Sequence, residues 1–499
     1  MTRLERSALV LGALGALGAL GFGTLACNAP PDAEPGYDLE ALQDPATCEE
    51  CHPTHYREWL GSMHAYAAED PVFRAMNAKG QRDTKGELGD FCVKCHAPMA
   101  VELGLTEDGL NLDEVPQKLQ GVTCYFCHQV EAVEGTHNNP LRLAMDGVMR
   151  GSISDALAPE VHGVEASPLF NRDRVASSDL CGSCHDIVTP GGAHIERTYH
   201  EWLESFYGDP DPDDLSKPAL WGLSCNDCHM DKSVGPIADY PGVPGDRSVH
   251  SHMFVGTDVA LTDFPDAELG PQLRAEQLEA IEDQRKTSLC ATLCVREQTP
   301  GEGDGLISVW LHNEAAGHAW PSGSTPDRRA WLELVGSVGE ELVFSTGVVG
   351  EGSAIAELDD PNLWLLRDRI FDAEGAETHD FWAAYSYESE LLPAPAVFGS
   401  TGDAATWRSR QFSAEALPER VEMRVQLRPV GLEILAELVD SGDLDPAIAD
   451  AMATYTVEPS VLTWTPELGE VNEDPEVAEA YGTCVSSSPG CVTPELQGL

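Results

Sequence analysis

The chain has 499 residues, of which 84 are acidic and 30 are basic, so its formal net charge is −54. A chain this acidic repels nucleic acid and anionic lipid head groups, and we discount both as partners. Hydrophobic residues make up 42% of the sequence, which argues against global disorder, and the length predicts two or three domains.

The N-terminus is predicted to be an export signal. Two arginines precede an apolar run from Ser7 to Phe22 that is too short and too rich in glycine for a membrane span. The run ends in Thr24-Leu25-Ala26-Cys27, which resembles a bacterial lipoprotein cleavage box with Thr in place of the usual Leu. Residues 1–26 are therefore predicted to be a lipoprotein-type signal peptide, with Cys27 as the lipid anchor and simple secretion as the alternative. The Pro- and acid-rich residues 27–45 are predicted to form a flexible tether.

Ten of the 15 cysteines lie in five copies of C-x-x-C-H. This spacing is the attachment signal of c-type haem, in which two thiols bond to the porphyrin and the adjacent His ligates the iron. Chance would give about 0.01 such motifs here. Disulfides do not require the His, and zinc ribbons lack it. The sequence therefore predicts five covalently bound haem c groups. The copies, numbered as motifs 1 to 5, are Cys48-Cys51-His52, Cys92-Cys95-His96, Cys124-Cys127-His128, Cys181-Cys184-His185 and Cys225-Cys228-His229.

Residues 46–270 are predicted to form a pentahaem cytochrome c domain. Five haems leave too few residues per haem for an ordinary peptide core, so we expect a mainly α-helical, loop-rich domain wrapped around the porphyrins. Short helices are predicted from His55 to Ala68, from Asp70 to Gly80 and from Thr198 to Phe206.

The character of the sequence changes after this region. A charged helix is predicted from Pro271 to Ser288, within a linker at residues 271–299. Residues 300–465 are predicted to form an antiparallel β-sandwich that carries an acidic helical insert, and residues 466–499 a C-terminal tail. The β-rich runs that predict the sandwich are Leu306 to Leu311, Ala330 to Val335, Glu341 to Ser345 and Val421 to Leu427.

Four further cysteines form two pairs that are close in sequence. Cys290 and Cys294 form C-x-x-x-C without a following His, and Cys484 and Cys491 flank a Ser-Ser-Ser-Pro-Gly turn in the tail. In an oxidising compartment, each pair is predicted to form a disulfide. The first pairing would be awkward if its segment were helical.

Eleven histidines lie outside the motifs, and spacing alone assigns none of them to an iron. Several stretches, however, are similar to multihaem cytochromes of the cytochrome c-554/c-prime type with a C-terminal β-sandwich, over residues of about 45 to 465. These stretches are CEECHPTHYREWLGSMHAYAAEDPVF, FCVKCHAPMA, GVTCYFCHQV, LCGSCHDI, RTYHEWLESF, LSCNDCHM and VWLHNEAAGHAWPSG. Because the tetrahaem members have one motif fewer, their haem order is not carried over to this chain.

The resemblance implies a second iron ligand for each haem. The implied ligands are His64, His137, His162, His252 (with His250 as its rival) and His318. The remaining histidines are expected to be structural or exposed, and these are His55, His194, His200, His312 and His379.

These features favour electron transfer through closely packed bis-His haems, in the periplasm or at the outer cell surface. The expected partners are other redox proteins, either cytochromes or a quinol-linked module, and the acidic surface either serves solubility or steers a basic partner. One alternative is an oxidoreductase with one open haem that acts on a small nitrogen or sulfur compound, although no C-x-x-C-K motif is present. Another is a subunit of an extracellular cytochrome filament. No catalytic side chain is predicted, and the oligomeric state stays open.

Overall fold

The computed structural model describes residues 36–156, 161–205, 207–208, 222–350, 352–395, 406–488 and 491. The predicted signal peptide, Cys27 and most of the predicted tether lie outside these residues. None of the helices in the described ranges is long and apolar enough to cross a bilayer.

The N-terminal half is built mainly from short helices. Several begin at an Asp or Ser whose side chain accepts a hydrogen bond from a backbone N–H of the first turn, as Asp44 does from Ala46 and Asp70 from Val72. The helices are α1 (Leu39–Leu42), α2 (Pro45–Glu49), α3 (Pro53–Leu60), α4 (Met63–Tyr66), α5 (Pro71–Asp83), α6 (Val93–His96), α7 (Pro98–Glu102), α8 (Cys124–His128), α9 (Ser178–Gly182), α10 (Thr198–Glu204) and α11 (Cys225–His229).

The helix predicted from His55 to Ala68 is two helices in the structure. Helix α3 ends at Leu60, and Gly61 forms its C-cap. Ser62 then caps α4, because its hydroxyl accepts the N–H of Ala65. The break turns the chain, so that α4 starts in a new direction with His64 in its first turn.

Four two-stranded sheets lie between the helices of this half. Three are antiparallel pairs, and β3 and β4 pair in parallel. The pair β5–β6 directly follows motif 4. The strands are β1 (Val130–Val133), β2 (Leu141–Leu143), β3 (Val148–Gly151), β4 (Gly163–Ala166), β5 (Ile187–Val188), β6 (His194–Glu196), β7 (Lys232–Gly235) and β8 (Arg247–His250).

Helix α12 (Gly270–Arg285) leads into a β-rich C-terminal region. The first strand starts at Leu289, inside the segment predicted as a linker, and the last strand lies in the predicted tail. The strands are β9 (Leu289–Glu297), β10 (Gly305–Asn313), β11 (Arg329–Val338), β12 (Glu341–Thr346), β13 (Leu365–Leu366), β14 (Asp368–Phe371), β15 (Glu377–Thr378), β16 (Ser386–Ser389), β17 (Trp407–Ala414), β18 (Arg420–Arg428), β19 (Tyr455–Trp464), β20 (Glu470–Val471) and β21 (Thr483–Ser486).

Two larger antiparallel sheets dominate this region. One has the strand order β17-β10-β9-β21-β20 and the other the order β12-β11-β18-β19, with β13 also paired to β11. Alternate residues of both sheets meet in a single apolar core, for example Leu293 and Val309 of the first sheet with Leu332 and Val425 of the second. The predicted helical insert between β18 and β19 consists of α13 (Leu432–Asp440) and α14 (Pro446–Ala451), and α15 (Pro475–Tyr481) lies between β20 and β21.

The predicted disulfide pairings are wrong. The structure joins Cys290 to Cys491 and Cys294 to Cys484. Cys290 and Cys294 lie on strand β9, where residues four apart are roughly 13 Å apart and on the same face, so they cannot bridge to each other. Strand β21 pairs with β9 with Cys484 opposite Cys294, which brings the tail cysteines to that face.

The helical half contacts the β-rich region through charged and apolar side chains. Arg197, just before α10, donates to the carboxylate of Asp368 at 2.7 Å, and both side chains are buried. Apolar residues of α5 pack against Leu435 and Leu438 of α13. The β-rich region therefore lies directly against the wall of the space that the five motifs enclose.

Candidate haem-binding site

One large cavity occupies the N-terminal half, with a volume of about 2030 Å³. Ordinary small-molecule pockets measure about 300 to 1,000 Å³. All ten motif cysteines and all five motif histidines line this cavity. The size and the donor set fit several porphyrins held by thiols and imidazoles, so we number sites 1 to 5 by their motifs.

Local capping positions the turns of the motifs. The Thr123 hydroxyl accepts the N–H of Phe126 and so starts α8, which carries motif 3. Ser224 and Asp227 form a reciprocal capping box at the start of α11, which carries motif 5. Each turn places two thiols and the following imidazole along the same wall of the cavity.

Each motif histidine has a hydrogen-bond partner at Nδ1. Because a carbonyl or carboxylate oxygen only accepts, Nδ1–H donates and Nε2 keeps its lone pair for the metal. Four acceptors are backbone carbonyls and the fifth is a side chain. The pairs are His52 with Ile237 O at 2.8 Å, His96 with Ala67 O at 3.0 Å, His128 with Arg150 O at 2.5 Å, His185 with Glu196 Oε1 at 3.2 Å and His229 with Val255 O at 2.6 Å.

The electrostatic environment separates His185 from the other four. Burial lowers the pKa of His52, His96, His128 and His229, and the backbone hydrogen bond only partly offsets this. For His185, burial acts in the same direction, but the hydrogen bond and charge of Glu196, with nearby thiols, outweigh it and raise its pKa to about 9.

Three predicted second ligands lie opposite a motif histidine. The ring centroid of His64 is 6.2 Å from that of His185, His318 is 6.3 Å from His229, and His252 is 6.5 Å from His128. Two imidazoles on opposite sides of one metal, each at about 2 Å, have centroids roughly 6 Å apart. Burial lowers the pKa of His64 to about 3 and of His318 to about 4, which favours the neutral form that binds metal.

His162 and His137 lie in different places. His162 lines the cavity. Its charge lowers the pKa of His52, although burial of His52 and its hydrogen bond to Ile237 have larger effects. His137 does not line the cavity, and among the described residues its ring contacts no motif histidine. The left-handed residues Asn138 and Asn139 turn the chain, and their backbone N–H groups bond to the loop of motif 4, so His137 lies beside His194 at 6.2 Å.

Site 2 differs from sites 3, 4 and 5 in that no second histidine lies opposite its motif histidine among the described residues. The ring that packs against His96 is Phe73, stacked at 3.9 Å and 2°. Among the described residues, no second imidazole makes a ring contact with His96.

Contacts between thiols give the order of the sites. Three pairs of thiols from different motifs lie close enough for each thiol to shift the pKa of the other, and they relate site 1 to site 3, site 2 to site 4, and site 4 to site 5. The charge of the Cys184 thiol also raises the pKa of Cys127, so site 3 adjoins site 4. The three pairs are Cys48 with Cys124, Cys95 with Cys184, and Cys181 with Cys225.

Sequence reasoning missed several residues of the site. Glu196, the acceptor of His185, lies in an acidic chain where no single carboxylate stands out. Phe73 was predicted only as a helix residue. His55, expected to be structural or exposed, is partly buried and lines the cavity, with its ring centroid 4.6 Å from that of His252. The backbone acceptors carry no side-chain signal at all.

Comparison with known proteins agrees with this geometry. Residues 47–129 match the family described as cytochrome c554 and c-prime. No curated protein sequence matches the chain significantly. The fold is similar to the crystal structure of a penta-haem cytochrome c552 from Thermochromatium tepidum, with a TM-score of 0.55 and 18% identity over 84% of this chain and 97% of the other. Residues 47–129, which carry motifs 1 to 3, are thus similar to cytochrome c554 and c-prime, and the chain shares its fold with a multihaem c-type cytochrome and ends in a β-rich region.

Proposed function

We propose that the protein is a pentahaem electron-transfer cytochrome. The observation that carries this proposal is the set of three partly buried imidazoles whose ring centroids lie 6.2 to 6.5 Å from that of a motif histidine across one cavity. Haem iron bound by an imidazole from each side would have no position open to substrate, and would serve to exchange electrons.

The residues have separate roles in this proposal. The ten motif cysteines would hold the porphyrins, and the motif histidines would bind the irons through Nε2. The proposed second ligands are His252 at site 3, His64 at site 4 and His318 at site 5, with His162 assigned to site 1. Bound haem would supply a one-electron Fe(III)/Fe(II) couple at each site. The backbone carbonyls at Nδ1 fix the orientation of the imidazoles.

The neighbouring thiols support a branched route. Sites 1, 3, 4 and 5 would form the main path, and site 2 would join it at site 4. The side chain of Cys228 at site 5 is exposed, whereas the other motif cysteines are partly covered. Site 5 is therefore the proposed place of exchange with a partner at that end of the path.

The remaining parts of the proposal concern domains and location. We propose a pentahaem domain at 46–270, the linker at 271–299 and a β-sandwich at 300–465, with strands β9 and β21 extending it. Haem c is attached outside the cytoplasm, which supports export to the periplasm or outer surface, with Cys27 as the lipid anchor. The partners would be cytochromes or a quinol-linked module.

Electron paramagnetic resonance on the oxidised holoprotein tests this function, with haem counted by the pyridine haemochrome assay. We expect five haems per chain and low-spin signals at sites 1, 3, 4 and 5. High-spin signals from several haems, or a haem count below five, would contradict the proposal.

A second candidate function rests on site 2. Because no second imidazole among the described residues makes a ring contact with His96, which instead stacks on Phe73, site 2 is the candidate open position of an oxidoreductase acting on a small nitrogen or sulfur compound. A high-spin signal from one haem that responds to nitrite or hydroxylamine would favour this function. A low-spin signal at site 2 that is unchanged by both compounds would exclude it.

A further inference from the structure

Glu196 distinguishes site 4 from the other sites. Its Oε1 lies 3.2 Å from Nδ1 of His185, whereas the other four motif histidines bond to neutral backbone carbonyls. Strand β6, which ends at Glu196, pairs with β5 directly after motif 4, with Glu196 opposite Ile187. The hairpin therefore holds the carboxylate against the imidazole of its own motif.

Little positive charge in the described structure offsets this carboxylate. The ion-pair partner of Glu196 among the described residues is His185, and its neighbour Arg197 is bonded to Asp368 and Glu201 instead. Only 17% of the Glu196 side chain is exposed. The carboxylate is thus positioned to act directly on the imidazole of His185, although half of that side chain faces the open cavity.

The opposite side of site 4 offers no comparable partner. Nδ1 of His64 is buried and has no hydrogen-bond acceptor among the described residues, and the nearby ring of Phe254 is apolar. Within the described part of the chain the two imidazoles of site 4 are therefore unequal, because a carboxylate polarises His185 and no acceptor polarises His64.

A carboxylate that accepts the Nδ1–H of a metal-bound imidazole increases the basicity of that ligand. A more basic ligand and a nearby negative charge both stabilise Fe(III) relative to Fe(II), and so lower the reduction potential. We propose that Glu196 is a positioning residue that lowers the reduction potential of the haem at site 4.

This inference deepens the proposed function, because it presumes bis-imidazole ligation at site 4. Thiol contacts place site 4 beside sites 2, 3 and 5, so its potential affects every route through the molecule. The charge of Glu196 also reaches Cys95 and His96 of site 2, but there Lys94 opposes it at the cysteine. The main effect is therefore expected at site 4.

The test is a spectroelectrochemical titration of the holoprotein with Glu196→Gln. Glutamine keeps the shape and an oxygen acceptor but removes the charge. Glu204→Gln is the matched control, because it removes one carboxylate from the neighbouring helix α10, where Glu204 is exposed and paired with His200. Glu196→Asp keeps the charge on a shorter side chain and serves as the conservative variant.

We expect Glu196→Gln to raise one midpoint potential selectively and to change the g values of one low-spin signal. Glu204→Gln should leave all five midpoint potentials unchanged. The shifted potential of Glu196→Asp should lie between those of Glu196→Gln and the wild type. If site 4 is low-spin in the wild type and Glu196→Gln moves no couple, the inference is wrong while the proposed function stands. If site 4 is high-spin in the wild type, the proposed ligation itself fails.

Discussion

His318 lies in the β-rich region, yet its ring is 6.3 Å from that of His229 and nearly parallel to it, at 14°. Its Nδ1 bonds to Ala319 O at 2.8 Å, which leaves Nε2 free. At the scale of single residues, the five motif histidines and His318 each have Nδ1 fixed by a hydrogen bond, whereas Nδ1 of His64 has no partner among the described residues. This arrangement restrains the rings before any metal binds.

We expect His318→Ala to convert one low-spin haem to high spin and leave the others unchanged. The haem count should stay the same, because the cysteines of motif 5 still hold the porphyrin. Electron paramagnetic resonance with a haem assay measures both quantities.

The control for this variant is His200→Ala, because His200 lies outside the cavity and half of its side chain is exposed. This control should keep the wild-type spectrum. If His318→Ala also kept that spectrum, the assignment of His318 to site 5 would be refuted.

At the scale of elements, two disulfides join strand β21 to strand β9. Each closes a long loop, with sequence separations of 201 and 190 residues. Once one bond exists, the other closes only a short loop through the two strands. In the chain-entropy model, losing either one alone therefore costs roughly 3 kcal/mol, as for a loop of about 15 residues, and losing both costs more than twice that.

Urea unfolding followed by circular dichroism checks this prediction. Cys294→Ser with Cys484→Ser removes one bond, and replacing all four cysteines removes both. Losing both bonds should reduce the free energy of unfolding by more than twice as much as losing one, because the remaining bond still holds the strands together in the first variant. Additive losses would contradict the shared role of the two bonds.

The buried pair of Arg197 and Asp368 connects the helical half to the β-rich region. Arg197→Met should reduce the free energy of unfolding by about 3–5 kcal/mol, because it leaves the carboxylate of Asp368 buried without its cation. The exposed pair of Arg57 and Glu276 provides the control, and Arg57→Met should cost less than about 1 kcal/mol. Similar losses of unfolding free energy in the two variants would show that burial of the Arg197–Asp368 pair does not increase the cost of breaking it.

Local patterns predicted the elements better than the pairings between them. The haem motifs, the Asp70 cap and the strand around Val309 depend on neighbours in sequence, and the structure has the corresponding turn, helix and strand. The partner of Cys290 lies 201 residues away and depends on how β21 pairs with β9, which no local pattern reveals. The same holds for Glu196, which became distinguishable only when the β5–β6 hairpin placed it beside His185.

At the scale of the whole molecule, the net charge of −54 is the dominant feature. Repulsion among like charges destabilises a compact state, and salt screens it as the Debye length falls from about 30 Å at 0.01 M to about 3 Å at 1 M. We expect the melting temperature of the holoprotein to rise with sodium chloride over this range. A melting temperature that falls, or stays constant, would show that attractive ion pairs outweigh the repulsion.

The positions of the proposed second ligands along the chain set an order of maturation. In an exported chain, site 1 would have both of its imidazoles once His162 has emerged, and site 4 once motif 4 has emerged, because His64 precedes that motif. Sites 3 and 5 would wait for His252 and His318, which follow their motifs. The central site 4 would therefore be complete before its neighbours 3 and 5, and the exposed end would be complete last, when strand β10 and the loop after it have emerged.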